Sequence, residues 1–177
     1  ASEALCHADF DPQTFENDIA LLRLTEPLDL ASQPNIVKAT LPTTASDPVV
    51  PGGRVATVGW GLTDFYTSMQ SQIQSPKLIE VSLSVDNDTV VPYDKRFSSN
   101  PSLQDGSGCR GDSGGPATSI FNTSGHTGNI VVGINSSITE TSTGNTFQDG
   151  CAESGVTTWF TRVSHYKNDI ESVLTLQ

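Results

Sequence analysis

The stretch Gly108-Cys109-Arg110-Gly111-Asp112-Ser113-Gly114-Gly115-Pro116 constrains this chain more than any other. Glycine permits backbone angles that a side chain forbids and lets a second backbone come close. A serine flanked in this way belongs to a shaped turn rather than to a generic surface loop. A serine hydroxyl is a weak nucleophile at neutral pH, so it needs a base for its proton and donors aimed at the oxyanion that its attack creates. The backbone N–H groups of Gly111 and Ser113 are placed to face one small concavity and supply those donors. Gly-Asp-Ser by itself is a common loop tripeptide, but the whole run from Gly111 to Pro116 is far more specific.

Charge narrows the partners. With 20 acidic and 9 basic residues the net charge is −11, which argues against nucleic acid and against anionic membrane surfaces. No apolar run approaches the length of a membrane span. Cys6, Cys109 and Cys151 make an odd count of three, and Asn87, Asn122 and Asn135 each open an Asn-x-Ser/Thr sequon. Three sequons together with an expected disulfide point to a secreted, extracellular glycoprotein. Fifteen glycines and ten prolines, with few helical periods, suit an all-β fold.

Along the chain, Asn17-Asp18-Ile19-Ala20-Leu21-Leu22-Arg23-Leu24 reads as a buried strand with a carboxylate at its mouth. Residues 26–53 hold Pro27, Pro34, Pro42, Pro48 and Pro51, a density that favours an extended connection. Residues 54–63 form a strand that runs into Gly59-Trp60-Gly61, with Trp60 expected in the core. Residues 78–85 alternate as a half-buried strand should. Residues 86–105 read as a long irregular loop, and 117–120, 129–134 and 156–163 as three further strands. Tyr166, Ile170, Val173 and Leu174 recur at helical spacing, which predicts a short amphipathic C-terminal helix.

Three of these stretches, the serine run, Asn17–Leu24 and Val55–Leu62, occur in the order found in the chymotrypsin/trypsin-like serine proteases, and the chain resembles that family from about His7 to its end. The resemblance implies two antiparallel β-barrels of the trypsin-like type, the N-terminal one incomplete here, with a short C-terminal helix. It divides the chain into 1–40 (remainder of the first barrel), 41–163 (second barrel) and 164–177 (helix). Ser113 then matches the nucleophile, and Asp18 matches the aspartate that orients the catalytic imidazole. Such a carboxylate accepts the imidazole N–H, fixes the tautomer and stabilises the imidazolium, as described for this family. Gly111 and Ser113 match the oxyanion hole. Asp112 matches the aspartate that pairs with the ammonium released by zymogen cleavage. Cys109 and Cys151 match a disulfide that ties the nucleophile loop to the pocket wall; closing a loop of roughly 40 residues stabilises by about 4 kcal/mol.

Ser107 falls at the base of the family's specificity pocket, where a neutral group cannot pair with a substrate Lys or Arg, so apolar or small P1 residues are expected. A loop shift that brought in Asp105 would change that preference. Gly155 matches an open pocket-wall position. Asn135 and Ser136, with Ser137, fall where the family's substrate strand runs. A glycan on Asn135 would block the pocket, whereas an unmodified Asn135 makes local hydrogen bonds.

The chain departs from the family in two respects. The family's histidine base lies upstream of the aspartate, whereas His7, His126 and His165 read as solvated residues. Ala1-Ser2-Glu3-Ala4 does not resemble the apolar terminus that would pair with Asp112. The expectation is therefore a C-terminal portion of a longer precursor whose N-terminal segment carries the base, with two alternatives for Cys6: a bridge to that segment, or a buried free thiol. Two functions remain open: a serine endopeptidase acting on polypeptides without metal or organic cofactor, and an inactive homologue that binds proteins as an inhibitor or decoy.

Overall fold

A computed structural model of the chain describes residues 1–62, 74–86, 94–99, 106–119, 130–140 and 156–175. Among these, strands β1 (Glu3–Cys6) and β2 (Ala20–Arg23) pair antiparallel. A second sheet contains β3 (Arg54–Gly59), β4 (Ile79–Ser84), β5 (Arg96–Ser99), β6 (Pro116–Ser119), β7 (Val131–Glu140) and β8 (Val156–Arg162). Helix α1 (Val163–Thr175) follows β8 directly. The larger sheet runs β4-β3-β6-β7-β8-β5, antiparallel throughout. It curls until its two edges meet: Val85, just past β4, bridges Ser99 of β5, and the Asp86 N–H donates to Ser98 O at 2.9 Å. Curling of this kind removes exposed strand edges.

Val49, Val55, Leu83, Val85, Phe97, Ala117, Val132 and Phe160 fill the interior. Phe97 and Phe160 stack with centroids 5.0 Å apart. Gly133 on β7 makes this possible, because a Cβ there would lie 2.8 Å from the Phe97 ring. β8 is buried at nearly every position: Phe160 points into the core, while Thr161 reaches the first forty residues. The proline-rich segment carries two single 3-10 turns and further turns at 33–36 and 50–53, and Thr43 and Ser46 cap each other reciprocally in the second 3-10 turn. Arg162 closes the segment onto the barrel. Its Nε donates to Asp47 Oδ2 at 2.7 Å and its Nη2 to Val49 O at 3.2 Å.

Several expectations need correction. Residues 86–105 contain β5, so they are not wholly a loop. β1 was not anticipated. β2 is not a buried strand: Leu22 is 65% and Leu24 48% exposed, because β1 is its only partner and no described element covers it. Trp60 is 58% exposed rather than in the core. Its flanking glycines hug the Asp112 carboxylate, which fixes the backbone there whatever the indole does. Cys6, weighed above as a buried thiol, is free and exposed.

Candidate active site

The turn at 109–115 is built from its own backbone. The Asp112 N–H donates to Cys109 O at 3.0 Å and the Gly115 N–H to Asp112 O at 2.9 Å. Gly111 and Gly114 take φ values of +95° and +82°, a left-handed region that side-chain-bearing residues rarely adopt. The result leaves Ser113 exposed at the crest. The N–H groups of Gly111 and Ser113 have no acceptor among the described residues.

Beneath the crest, the half-buried Asp112 carboxylate accepts N–H bonds from Gly61 at 2.8 Å and from Cys109 at 2.9 Å. Two backbone donors give the charge the partners that a carboxylate removed from water requires. A Cβ on Gly59 would lie 1.9 Å, and one on Gly61 2.5 Å, from this carboxylate. The glycine-bracketed Trp60 of the sequence is thus a cradle for Asp112, and the glycines rather than the indole make it. Beside Asp112 is a cavity of about 320 Å³ lined by Thr57, Leu62, Ile79, Val81 and Ser107 among others.

Strand β7 runs alongside the serine turn. The Gly114 N–H donates to Asn135 O and the Asn135 N–H to Gly115 O, both at 2.8 Å. The next residue, Ser136, turns its hydroxyl the other way and donates to Asp18 Oδ2 at 2.7 Å. Asp18 is half-buried, and its backbone carbonyl accepts from Thr161 Oγ1 at 2.8 Å. Its neighbour Asn17, at φ +56°, accepts from the Tyr166 hydroxyl at 3.0 Å and donates to Asp9 O at 2.8 Å. One strand therefore binds the Ser113 turn through Asn135 and Asp18 through Ser136.

Arg96 lies beside this junction. Its Nη1 donates to Thr14 O and its Nη2 to Ser137 Oγ, each at 2.8 Å. The guanidinium stands 4.8 Å from the Trp159 ring centroid. Burial pushes its pKa below the usual arginine value, and the charges of Asp18 and Glu16 oppose that shift. Burial also pushes the Tyr166 phenol up to about 12, with the Glu16 charge adding to the rise.

The other predicted residues are placed unevenly. Asn135 is 4% exposed, and its Nδ2 is buried without a partner against Gly108, where a Cβ would lie 2.6 Å away. The Gly108 N–H donates to Thr158 Oγ1 at 3.1 Å, a contact that the sequence reading missed. Cys109 is buried and is not a free thiol. Cys151, Gly155, Asn87, Asn122, Asp105 and His126 lie outside the described residues. His7 and His165 pack edge-on against Tyr166, with centroids at 5.6 and 4.8 Å. No cluster of metal-ligating side chains occurs among the described residues, and none of their helices is long and apolar enough to cross a membrane.

Residues 1–170 match the Trypsin family, and the chain belongs to it. It is 29% identical over 93% of its length to human kallikrein-15, of which it covers 61%. It is 33% identical to trypsin alpha-4 of Lucilia cuprina over 64% of this chain and 44% of that protein. To the serine protease filzig of Drosophila melanogaster it is 33% identical over 63% of this chain and 7% of that protein. The chain thus spans less than two thirds of each of these relatives.

Proposed function

We propose that the chain is the catalytic portion of a serine endopeptidase. The observation that carries this reading is the double attachment of β7, to Gly114 through Asn135 and to Asp18 through Ser136. Ser113 attacks the scissile carbonyl, and an imidazole steadied by Asp18 takes its proton and later delivers it to the leaving amine. The N–H groups of Gly111 and Ser113 stabilise the oxyanion, and water then releases the acyl group. The imidazole comes from outside the described residues, since His7 and His165 are packed on Tyr166. Polypeptides are the substrates, and the neutral Ser107 favours apolar or small P1 residues.

The first barrel ends near residue 40, the second runs to 163, and α1 closes it. The cavity beside Asp112 has the size and apolar lining to take a new apolar N-terminus, whose ammonium would reach the carboxylate; this is the arrangement of a protease activated by cleavage of a zymogen. A Cys109–Cys151 disulfide, secretion, and glycans on Asn87 and Asn122 complete the reading. Asn135 has no room for a glycan in the folded strand.

A second reading, an inactive homologue that binds proteins, draws on the engagement of both described histidines elsewhere. Labelling of the natural protein with a fluorophosphonate, after activating cleavage, decides between them. Labelling that disappears in Ser113→Ala supports the enzyme, whereas a folded protein that does not label is the inactive binder.

A further inference from the structure

We propose that Arg96 is a positioning residue for the Asp18 carboxylate, joining the loop that carries Asp18 to the strand that hydrogen-bonds it and holding a fixed positive charge beside them. This rests on the endopeptidase reading and extends it. The two guanidinium contacts divide between the two supports of Asp18. Nη1 holds Thr14 O, in the loop that turns through Phe15 and Asn17 at positive φ before reaching Asp18. Nη2 holds the hydroxyl of Ser137, the residue after the one that donates to Asp18. A rigid planar fork suits such bridging, whereas an ammonium makes no comparable pair of fixed bonds.

The third guanidinium nitrogen takes no part in this bridge. Nε is buried with no partner among the described residues, which is costly in itself. The Trp159 face covers the guanidinium, and the Trp159 indole is in turn fixed by its Nε1–H bond to Thr139 Oγ1 at 3.0 Å. The charged and titratable groups whose field acts on Arg96 are Asp18, Glu16, Tyr166 and Asp94. Lys95 draws Glu16 toward itself at 3.5 Å. Arg96 is thus bonded to both supports of Asp18 and electrostatically coupled to its carboxylate.

That charge has a predictable effect. An aspartate beside an imidazole favours the imidazolium, and a cation beside the aspartate reduces that preference. Removing the cation should raise the pKa of the base and move the acid limb of the kcat/KM profile to higher pH.

The test uses the natural protein after activating cleavage, a fluorophosphonate, and a peptide p-nitroanilide with Ala or Phe at P1. Arg96→Gln should shift the acid limb upward by about half a unit to one unit and lower kcat about tenfold with KM little changed. Arg96→Lys keeps the charge and loses the fork, so kcat should fall while the limb stays in place. An unmoved limb in a folded Arg96→Gln protein overturns the proposal even if kcat falls, because a merely structural role would give that pattern. Should Arg96→Gln not fold, Ser137→Ala releases Nη2 alone and should lower kcat severalfold; unchanged kcat overturns the proposal. Wild-type protein that does not label removes the endopeptidase reading and this role with it, whereas labelled wild type with an unmoved limb removes only the role of Arg96.

Discussion

The six-stranded sheet and the first forty residues are held in place by different forces. The sheet surrounds a continuous apolar interior, and every residue of that interior lies at or beyond Val49. The first forty residues contribute nothing to it. Their two strands leave Leu22 and Leu24 exposed, and apart from the His7 ring against Tyr166 their attachments named above are polar: Thr161 to Asp18 O, Ser136 to the Asp18 carboxylate, Tyr166 to Asn17, Arg96 to Thr14 O. Apolar contact tolerates sliding because it is non-directional. Hydrogen bonds do not, so a part of the molecule that adds nothing to the apolar interior still holds the Asp18 carboxylate at a defined place.

The largest test of this contrast concerns the connection between the two regions. Asp47→Ala leaves Arg162, 6% exposed at its side chain, without its carboxylate, and breaking a buried pair from one side costs about 3–5 kcal/mol. Denaturant unfolding should show that loss with little change in m-value. Gly59→Ala drives a Cβ into the Asp112 carboxylate. We expect about 2–4 kcal/mol of destabilisation, together with loss of fluorophosphonate labelling as the serine turn shifts.

A third test removes one polar attachment. Tyr166→Phe deletes the bond to Asn17 and should cost about 1 kcal/mol. Its effect on activity should exceed its effect on stability, because Asn17 positions Asp18. The pH dependence follows from the same residue. The Tyr166 phenol is raised from 10.0 to about 12 in the folded chain, so the unfolded chain loses this proton first. The protonated phenol's contribution is fully present below pH 10 and fades as pH rises toward 12. Spectrophotometric titration at alkaline pH should show one tyrosine ionising late, coincident with loss of stability. The smallest effect is expected at Leu22→Lys, within about 0.5 kcal/mol if the face is as open as it is among the described residues. A loss of several kcal/mol in the natural full-length protein would show that other residues cover that face, and the contrast between the two regions would shrink accordingly.

Sequence made the serine turn and the Asn17–Leu24 stretch visible because both depend on residue types with few substitutes: glycines at positive φ, and a carboxylate at the head of an apolar run. Strand β5 stayed hidden for the opposite reason. Its Ser98 and Ser99 are completely buried, and two adjacent serines carry no hydrophobic signal. Gly59 and Gly61 were noticed, but for the tryptophan between them. Their partner, Asp112, lies some fifty residues further along, and no local pattern connects them. The sequence places Ser136 on the substrate strand, and the fold adds that its hydroxyl points to Asp18. Alternation along a strand says which residues share a face, and only the assembled sheet says what each face meets. Arg96 and Thr158 gave no signal at all, since their partners come from segments that only the fold brings together.

The placement of Asp18 by Ser136, Thr161 and, through Asn17, Tyr166 has a consequence for the order of events during synthesis. A ribosome releases the aspartate's segment long before it releases residues 136–166. Until those arrive, the early segment has no anchor, and the proposed relay cannot assemble on a nascent chain. The proposed cleavage of polypeptides therefore has to wait until residues through Tyr166 have left the exit tunnel.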